Sequence, residues 1–258
     1  MNNSTIVSRA PAHVPRFVRF PRLYRPADDT WLLTDAVLDE VANSERTLTV
    51  LELCAGTGYI AVSAARAGAD VTALDINPRA VTNTRFNAFL NRGRVTAAVA
   101  DVRDLPSLPR FDLIVANPPY VPSAAEDPQT GAALAYNGGA DGRALIDPVC
   151  ERAADLLTPG GSLLLVQSEV NDVDRTCDLL RRTGVVPSVV MQRSIPFGPL
   201  MSARSAILES RGLIGSGQCT ERISVIRGLL PAESDSGVDQ LGTGATSDDF
   251  PVDQESSR

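Results

Sequence analysis

The chain has 258 residues, 43% of them hydrophobic and 21% charged, with a formal net charge of −7. This suits one large soluble domain or two small ones; no apolar run nears the roughly 18 residues of a membrane span, and no signal peptide is read at the start. All 24 basic residues are arginine and His13 is the one histidine, which excludes a lysine Schiff base, a P-loop, a histidine triad and an HExxH zinc site.

In chain order, residues 1–27 carry Arg9, Arg16, Arg19, Arg22 and Arg25 and no acid. Such an arm suits RNA or another acidic partner, or else it is a solvated extension packed only near Leu23 and Tyr24. Residues 47–54 (TLTVLELC) are a short apolar, β-branched run that ends at a glycine turn, which predicts a buried strand. Residues 58–67 have helical spacing and stop at Gly68; residues 69–75 predict a second strand. Asn77-Pro78 starts a helix to about Asn91, with asparagine as N-cap and proline in the first turn. Residues 94–100 and 111–116 predict the third and fourth strands, and 141–157 a helix ended by Thr158-Pro159-Gly160-Gly161. Residues 162–167 predict a fifth strand, 171–182 a helix, 185–191 a sixth strand, 199–211 a helix and 222–227 a seventh strand. Repeated strand–helix units imply a parallel sheet covered on both faces, with ligands beyond the C-terminal strand ends. Residues 231–258 hold seven acids, Arg258 and almost no large apolar side chain, so they are expected to be a disordered acidic tail.

Four strand ends carry chemistry. Glu52-Leu53-Cys54-Ala55-Gly56-Thr57-Gly58 puts glycines between a strand and a helix, where a ligand can approach the backbone closely. Asp75, ending the second strand, can take both hydroxyls of a ribose. Asp101, ending the third, can accept from an adenine amino group; either acid alone serves equally as a helix cap. After the fourth strand comes Asn117-Pro118-Pro119-Tyr120. The prolines force the chain out of the sheet and hold it rigid. The Asn117 side-chain oxygen and the Pro118 carbonyl are then two acceptors, which suit a planar NH2 group, and Tyr120 adds an aromatic face. The other reading of that stretch is a turn with a capping asparagine.

ELCAGTG, LDINP, AD and NPPY, in this order and spacing, resemble the Rossmann-like S-adenosylmethionine-dependent methyltransferases. Tyr24-Arg25-Pro26-Ala27-Asp28-Asp29-Thr30-Trp31-Leu32-Leu33 and Gly138-Gly139-Ala140-Asp141-Gly142-Arg143 narrow this to the HemK/PrmC group, and within it to the short branch without a separate N-terminal helical domain. The resemblance implies an α/β, doubly wound, seven-stranded, mostly parallel sheet with an antiparallel last strand. It covers a methyltransferase domain over 22–230, and composition sets a basic flexible arm over 1–21 and a tail over 231–258 beside it. The function it implies is methylation of the side-chain amide of a protein glutamine, that of the GGQ motif of a peptide chain release factor, in the cytoplasm. S-adenosylmethionine would be held by Thr30, Glu52, Cys54, Gly56, Gly58, Asp75, Asp101 and Asn117. Asn117, Pro118 and Tyr120 would grip the glutamine amide, and a small activating subunit is a possible partner. Cys54 stands where the group more often has glycine, and the 199–211 helix is longer than a minimal member needs.

Other readings remain. The acceptor is alternatively a small-molecule amine or amide, or adenine in nucleic acid, although residues 28–230 lack a basic-aromatic stripe. A dinucleotide oxidoreductase would use the glycine loop and Asp75 but leaves NPPY unexplained. A non-enzymatic binder would not need Glu52, Asp75, Asp101 and Asn117 together. The four dispersed cysteines (Cys54, Cys150, Cys177, Cys219) suit neither a zinc site nor a disulfide framework.

Overall fold

The computed structural model describes residues 15–123 and 136–232. Its seven strands are β1 (Thr49–Leu53), β2 (Asp70–Asp75), β3 (Val95–Val99), β4 (Phe111–Ala116), β5 (Leu157–Ser168), β6 (Val186–Pro196) and β7 (Thr220–Leu229). They form one sheet in the order β3-β2-β1-β4-β5-β7-β6. β1 to β5 pair in parallel, and β7 runs antiparallel between β5 and β6. This is the expected fold class.

Alternation along the strands divides the core between two faces. Val50, Leu113, Val115, Leu164 and Val166 point to one face and meet α1 (Asp28–Ala42), α2 (Tyr59–Arg66) and α3 (Pro78–Asn91). Leu51, Leu53, Ile114, Leu163 and Leu165 point to the other, against α4 (Ile146–Leu156) and α5 (Val173–Arg182). A smaller cluster of Val170, Met201, Leu208 and Ile214 seats α6 (Pro199–Ser210) beside the end of β5.

Several boundaries differ from the sequence expectation. The helix predicted from residue 141 starts at Ile146, because residues 138–144 close a turn with the Ala144 N–H on the Gly138 carbonyl. β5 begins at Leu157 and not at 162: the stretch read as a helix stop is a bulge, seen as a register shift between Phe111 and Leu113. β6 runs to Pro196 because β7 pairs with it along its whole length. Helix α1 was not read from the sequence, although Thr30 reaches back to the Ala27 N–H at 3.5 Å in its first turn.

Of the arm expected over residues 1–21, residues 1–14 lie outside the described residues, as do 233–258 of the acidic tail. Residues 16–20 lie along α3, hydrogen-bonded to the side chains of Asn83, Asn87 and Asn91. Charge alone did not foresee this, since the partners are amides on another element.

Leu163 is fully buried in the second face, whereas Phe89 is 80% exposed on α3. Leu163→Ala should cost about 2–5 kcal/mol in urea unfolding. Phe89→Ala should stay within about 0.5 kcal/mol. Equal losses would mean that the core is not where the strand alternation puts it.

Candidate active site

Strand order reverses between β1 and β4, and their following helices go to opposite faces, which opens a crevice beyond the strand tips. A cavity of about 240 Å³ lies there. Thr30, Glu52, Cys54, Gly56, Asp75, Asp101, Asn117, Pro118 and Tyr120 all line it. Gly58 does not; it is the left-handed residue (φ +74°) that starts α2, pressed against Thr84 of α3 so closely that a Cβ would meet that side chain.

The loop after β1 turns tightly. Cys54 and Gly56 both take left-handed backbone, with φ of +59° and +56°. That conformation costs a cysteine about 1 kcal/mol that glycine does not lose. Burial, and then the charges of Asp75, Glu52 and Asp101, push the Cys54 thiol up, so it stays protonated and packs as a small side chain.

Two acids face this loop. Glu52 is 3% exposed and accepts the Ala61 N–H from the first turn of α2 at 2.9 Å. Burial pushes its carboxyl up to about 8, against the pull of that N–H and with a further push from Asp75. Asp75 accepts the Gly56 N–H at 2.7 Å and the Asn77 N–H at 2.8 Å, and burial raises it despite both bonds. Two accepted bonds leave a carboxylate with about two further acceptor positions. Asp101 is more exposed and already engaged: Arg103 forks onto it, with Nη2 2.6 Å from Oδ2 and Nε 2.9 Å from Oδ1, which holds its carboxyl below the usual range.

On the opposite wall, Asn117 Nδ2 donates to Thr30 Oγ1 at 3.4 Å. Thr30 Oγ1 in turn donates to Asp29 at 3.1 Å. Asp29, 4% exposed, also accepts the hydroxyls of Tyr24 at 2.7 Å and Tyr120 at 3.1 Å. Burial first, and the neighbouring Asp29 charge next, raise both phenols, which therefore donate rather than ionise. Sequence reasoning did not assign Asp29 a role; the signal was the second acid of Asp28-Asp29-Thr30 behind a tyrosine. From beneath, Asn171 Nδ2 donates to the Tyr120 carbonyl at 2.7 Å. A Cβ on Gly142 would collide with both of those groups, so the GGADGR segment is a floor under Tyr120. Its Arg143, 2% exposed, donates to the Asn171 and Asp172 carbonyls, Thr176 and Asp147.

The family model described as "Methyltransferase small domain" matches residues 32–191. The chain belongs to this family and is a methyltransferase. It is 33% identical over 184 residues to a putative protein N5-glutamine methyltransferase of Methanocaldococcus jannaschii, covering 70% of this chain and 90% of the relative. It is 32% identical over 201 residues to the release factor glutamine methyltransferase of Mycolicibacterium smegmatis, covering 74% and 69%. Among solved structures it is similar to the E. cuniculi Mtq2–Trm112 complex that methylates the translation termination factor eRF1, with a TM-score of 0.54, 26% identity, and coverage of 81% of this chain and 98% of the other. These relatives bear out the HemK/PrmC resemblance read from the motifs.

An acid whose pKa is raised on folding binds its proton more tightly in the folded state, so stability falls as pH rises through the interval. For Glu52 that interval runs from the ordinary 4.5 to about 8. The melting temperature of the unliganded protein should decline across it, and Glu52→Gln should flatten the decline. The same slope in both proteins would remove Glu52 as the cause.

Proposed function

We propose that this methyltransferase transfers a methyl group from S-adenosylmethionine to the side-chain amide nitrogen of a protein glutamine, that of the GGQ motif of a peptide chain release factor. The activities for which the Mycolicibacterium and Methanocaldococcus relatives are named support it. The observation that carries it is the Asn117 amide in the cavity wall: Nδ2 donates to Thr30 Oγ1, which leaves Oδ1 to accept, with the Pro118 carbonyl as the second acceptor of the reading. A cytoplasmic setting belongs to the same reading.

The residues present fit the cofactor. Glu52 and the 54–57 loop suit the cationic methionine part, because a buried acid with a raised pKa gains most from a positive neighbour. Thr30 reaches the same end. Asp75 has acceptor positions left for the ribose hydroxyls, and Asp101 takes the adenine amino group on the side that Arg103 does not cover. When bound, the cofactor supplies an activated methyl on a sulfonium. The residues mainly orient and polarise. An amide nitrogen is a poor nucleophile because its lone pair is delocalised into the carbonyl. Oδ1 of Asn117 and the carbonyl of Pro118 accept its two hydrogens, hold it in line and stabilise the positive charge that grows on nitrogen. Tyr120, anchored by Asp29, walls the slot.

A small activating subunit belongs to this proposal, as Trm112 accompanies Mtq2 in the similar complex. The open sheet edge at β3, where Val99 is 55% exposed, together with Phe89 of the neighbouring α3 at 80%, is the surface that suits it.

Purified protein with labelled S-adenosylmethionine should label release factor in a panel that also holds tRNA, DNA and small amines. Label on nucleic acid or an amine alone would overturn the glutamine assignment. Asn117→Ala should lower turnover at least about a hundred- to a thousandfold. It should leave S-adenosylhomocysteine affinity nearly intact. Asp75→Ala should instead weaken that affinity by about 1.5–3 kcal/mol, the scale of a charged hydrogen bond. Wild-type turnover in Asn117→Ala would return NPPY to a structural turn.

A further inference from the structure

Helix α3 carries Asn83, Asn87 and Asn91, one every four residues, and Asn83 and Asn87 are fully buried although they are amides. All three face the extended segment 16–20. The Arg16 N–H donates to Asn91 Oδ1 at 2.9 Å, the Val18 N–H to Asn87 Oδ1 at 3.0 Å and the Phe20 N–H to Asn83 Oδ1 at 3.0 Å. In return Asn91 Nδ2 donates to the Arg16 carbonyl at 2.7 Å, and Asn87 and Asn83 Nδ2 each to the Val18 carbonyl at 2.9 Å. The match is one of pitch. Four helical residues rise about 6 Å, and two extended residues advance about 6.6 Å. Side-chain amides on a helix thus replace the neighbouring strand for every second residue of the segment.

The same ladder reaches the glycine loop. The second N–H of Asn87 Nδ2 donates to the Thr57 carbonyl at 2.9 Å, and Thr57 lines the cavity. Phe17 stacks edge-on against Tyr59, the first residue of α2, with ring centroids 5.4 Å apart. Beyond Phe20 the segment leads into Leu23, Tyr24 and Pro26, which line the cavity too. The segment therefore touches the site at three places: through Asn87, through Tyr59, and through its own continuation.

We infer that residues 16–20 are a strap that clamps the glycine loop of the cofactor site, with Asn87 as the positioning residue through which strap order and loop order are coupled. Its bearing on the cofactor rests on the reading of this cavity as the S-adenosylmethionine site. Holding the strap lowers the disorder that the loop loses when it closes on a ligand. By reciprocity, a ligand on the loop tightens the strap by the same factor.

The test uses Val18→Pro, which deletes the Val18 N–H while leaving α3 and every cavity residue in place. Val18 is 42% exposed, so no core contact is lost. Asn83→Ala, which touches the strap but not the loop, is the second variant. In the unliganded full chain, both should speed hydrogen exchange at the Gly56 and Gly58 amides. S-adenosylhomocysteine should slow exchange at Phe20 in the wild type, and its Kd should rise about five- to twentyfold in the variants, the scale of one or two lost hydrogen bonds. KM for S-adenosylmethionine should rise with it while kcat is kept. Unchanged exchange at Gly56 and Gly58 in both variants overturns the clamp. A wild type that binds no S-adenosylhomocysteine overturns the cofactor assignment instead, and the exchange of the unliganded variants then still decides the coupling.

Discussion

Two carboxyl groups held side by side beyond the strand tips, one buried and one half-buried, are the constraint around which this molecule is arranged. Parallel pairing of β1 with β2 sets Glu52 opposite Ala73 and brings Asp75 to the neighbouring tip. Among the described residues, neither acid makes an ion pair. What holds them is backbone: the Ala61 N–H for one, the Gly56 and Asn77 N–H groups for the other. Those donors exist only where the chain breaks from strand into helix, so the tight left-handed turn, the start of α2 and the start of α3 are all tied to the same two side chains. Helix N-termini favour negative charge, which offsets part of the cost of burial.

The opposite wall is built on a single buried carboxylate. Asp29 collects two phenol hydroxyls and Thr30, and Thr30 sets which atom of Asn117 faces inwards. The rigidity of NPPY is thus only partly its prolines. It is held from α1 on one side, and from below by Asn171 and the GGADGR floor on the other. An acceptor pair of the kind proposed for Asn117 and Pro118 would gain from such preorganisation, because nothing has to reorient as charge develops.

Much of this was legible in the sequence, and the reason is local. Strand, glycine turn and helix follow each other within about ten residues at ELCAGTG, and LDINP joins its strand to a proline-started helix, so period and punctuation place Glu52, Gly56 and Asp75 without tertiary knowledge. NPPY was legible because proline restricts backbone wherever it stands. What stayed hidden depended mostly on distant partners. Asp101 is the exception: Arg103 stands two residues on, but only the folded turn shows it forking onto that carboxylate. Gly58 reads as part of a ligand loop, while its missing Cβ makes room for Thr84 of α3. The arm reads as loose because its charge is visible and its ladder is not; Asn83, Asn87 and Asn91 do share a helix face by spacing, but spacing does not say what the face holds. The continuation of β6 to Pro196 depends on pairing with a strand that comes more than twenty residues later.

That last pairing has a consequence for the order in which the chain can be made. β7 sits between β5 and β6, so β6 has no other neighbour in the sheet. Val186, Val189 and Val190 are exposed even in the finished protein, and before residues 220–229 leave the ribosome the backbone of β6 has no ladder at all. The five parallel strands can assemble around the crevice during synthesis, whereas the far side of the sheet waits for its last strand to be threaded between two earlier ones. A chain truncated before Thr220 therefore presents a raw sheet edge at β5 and an unpaired strand segment at β6 to other nascent chains, and such backbone is a template for aggregation.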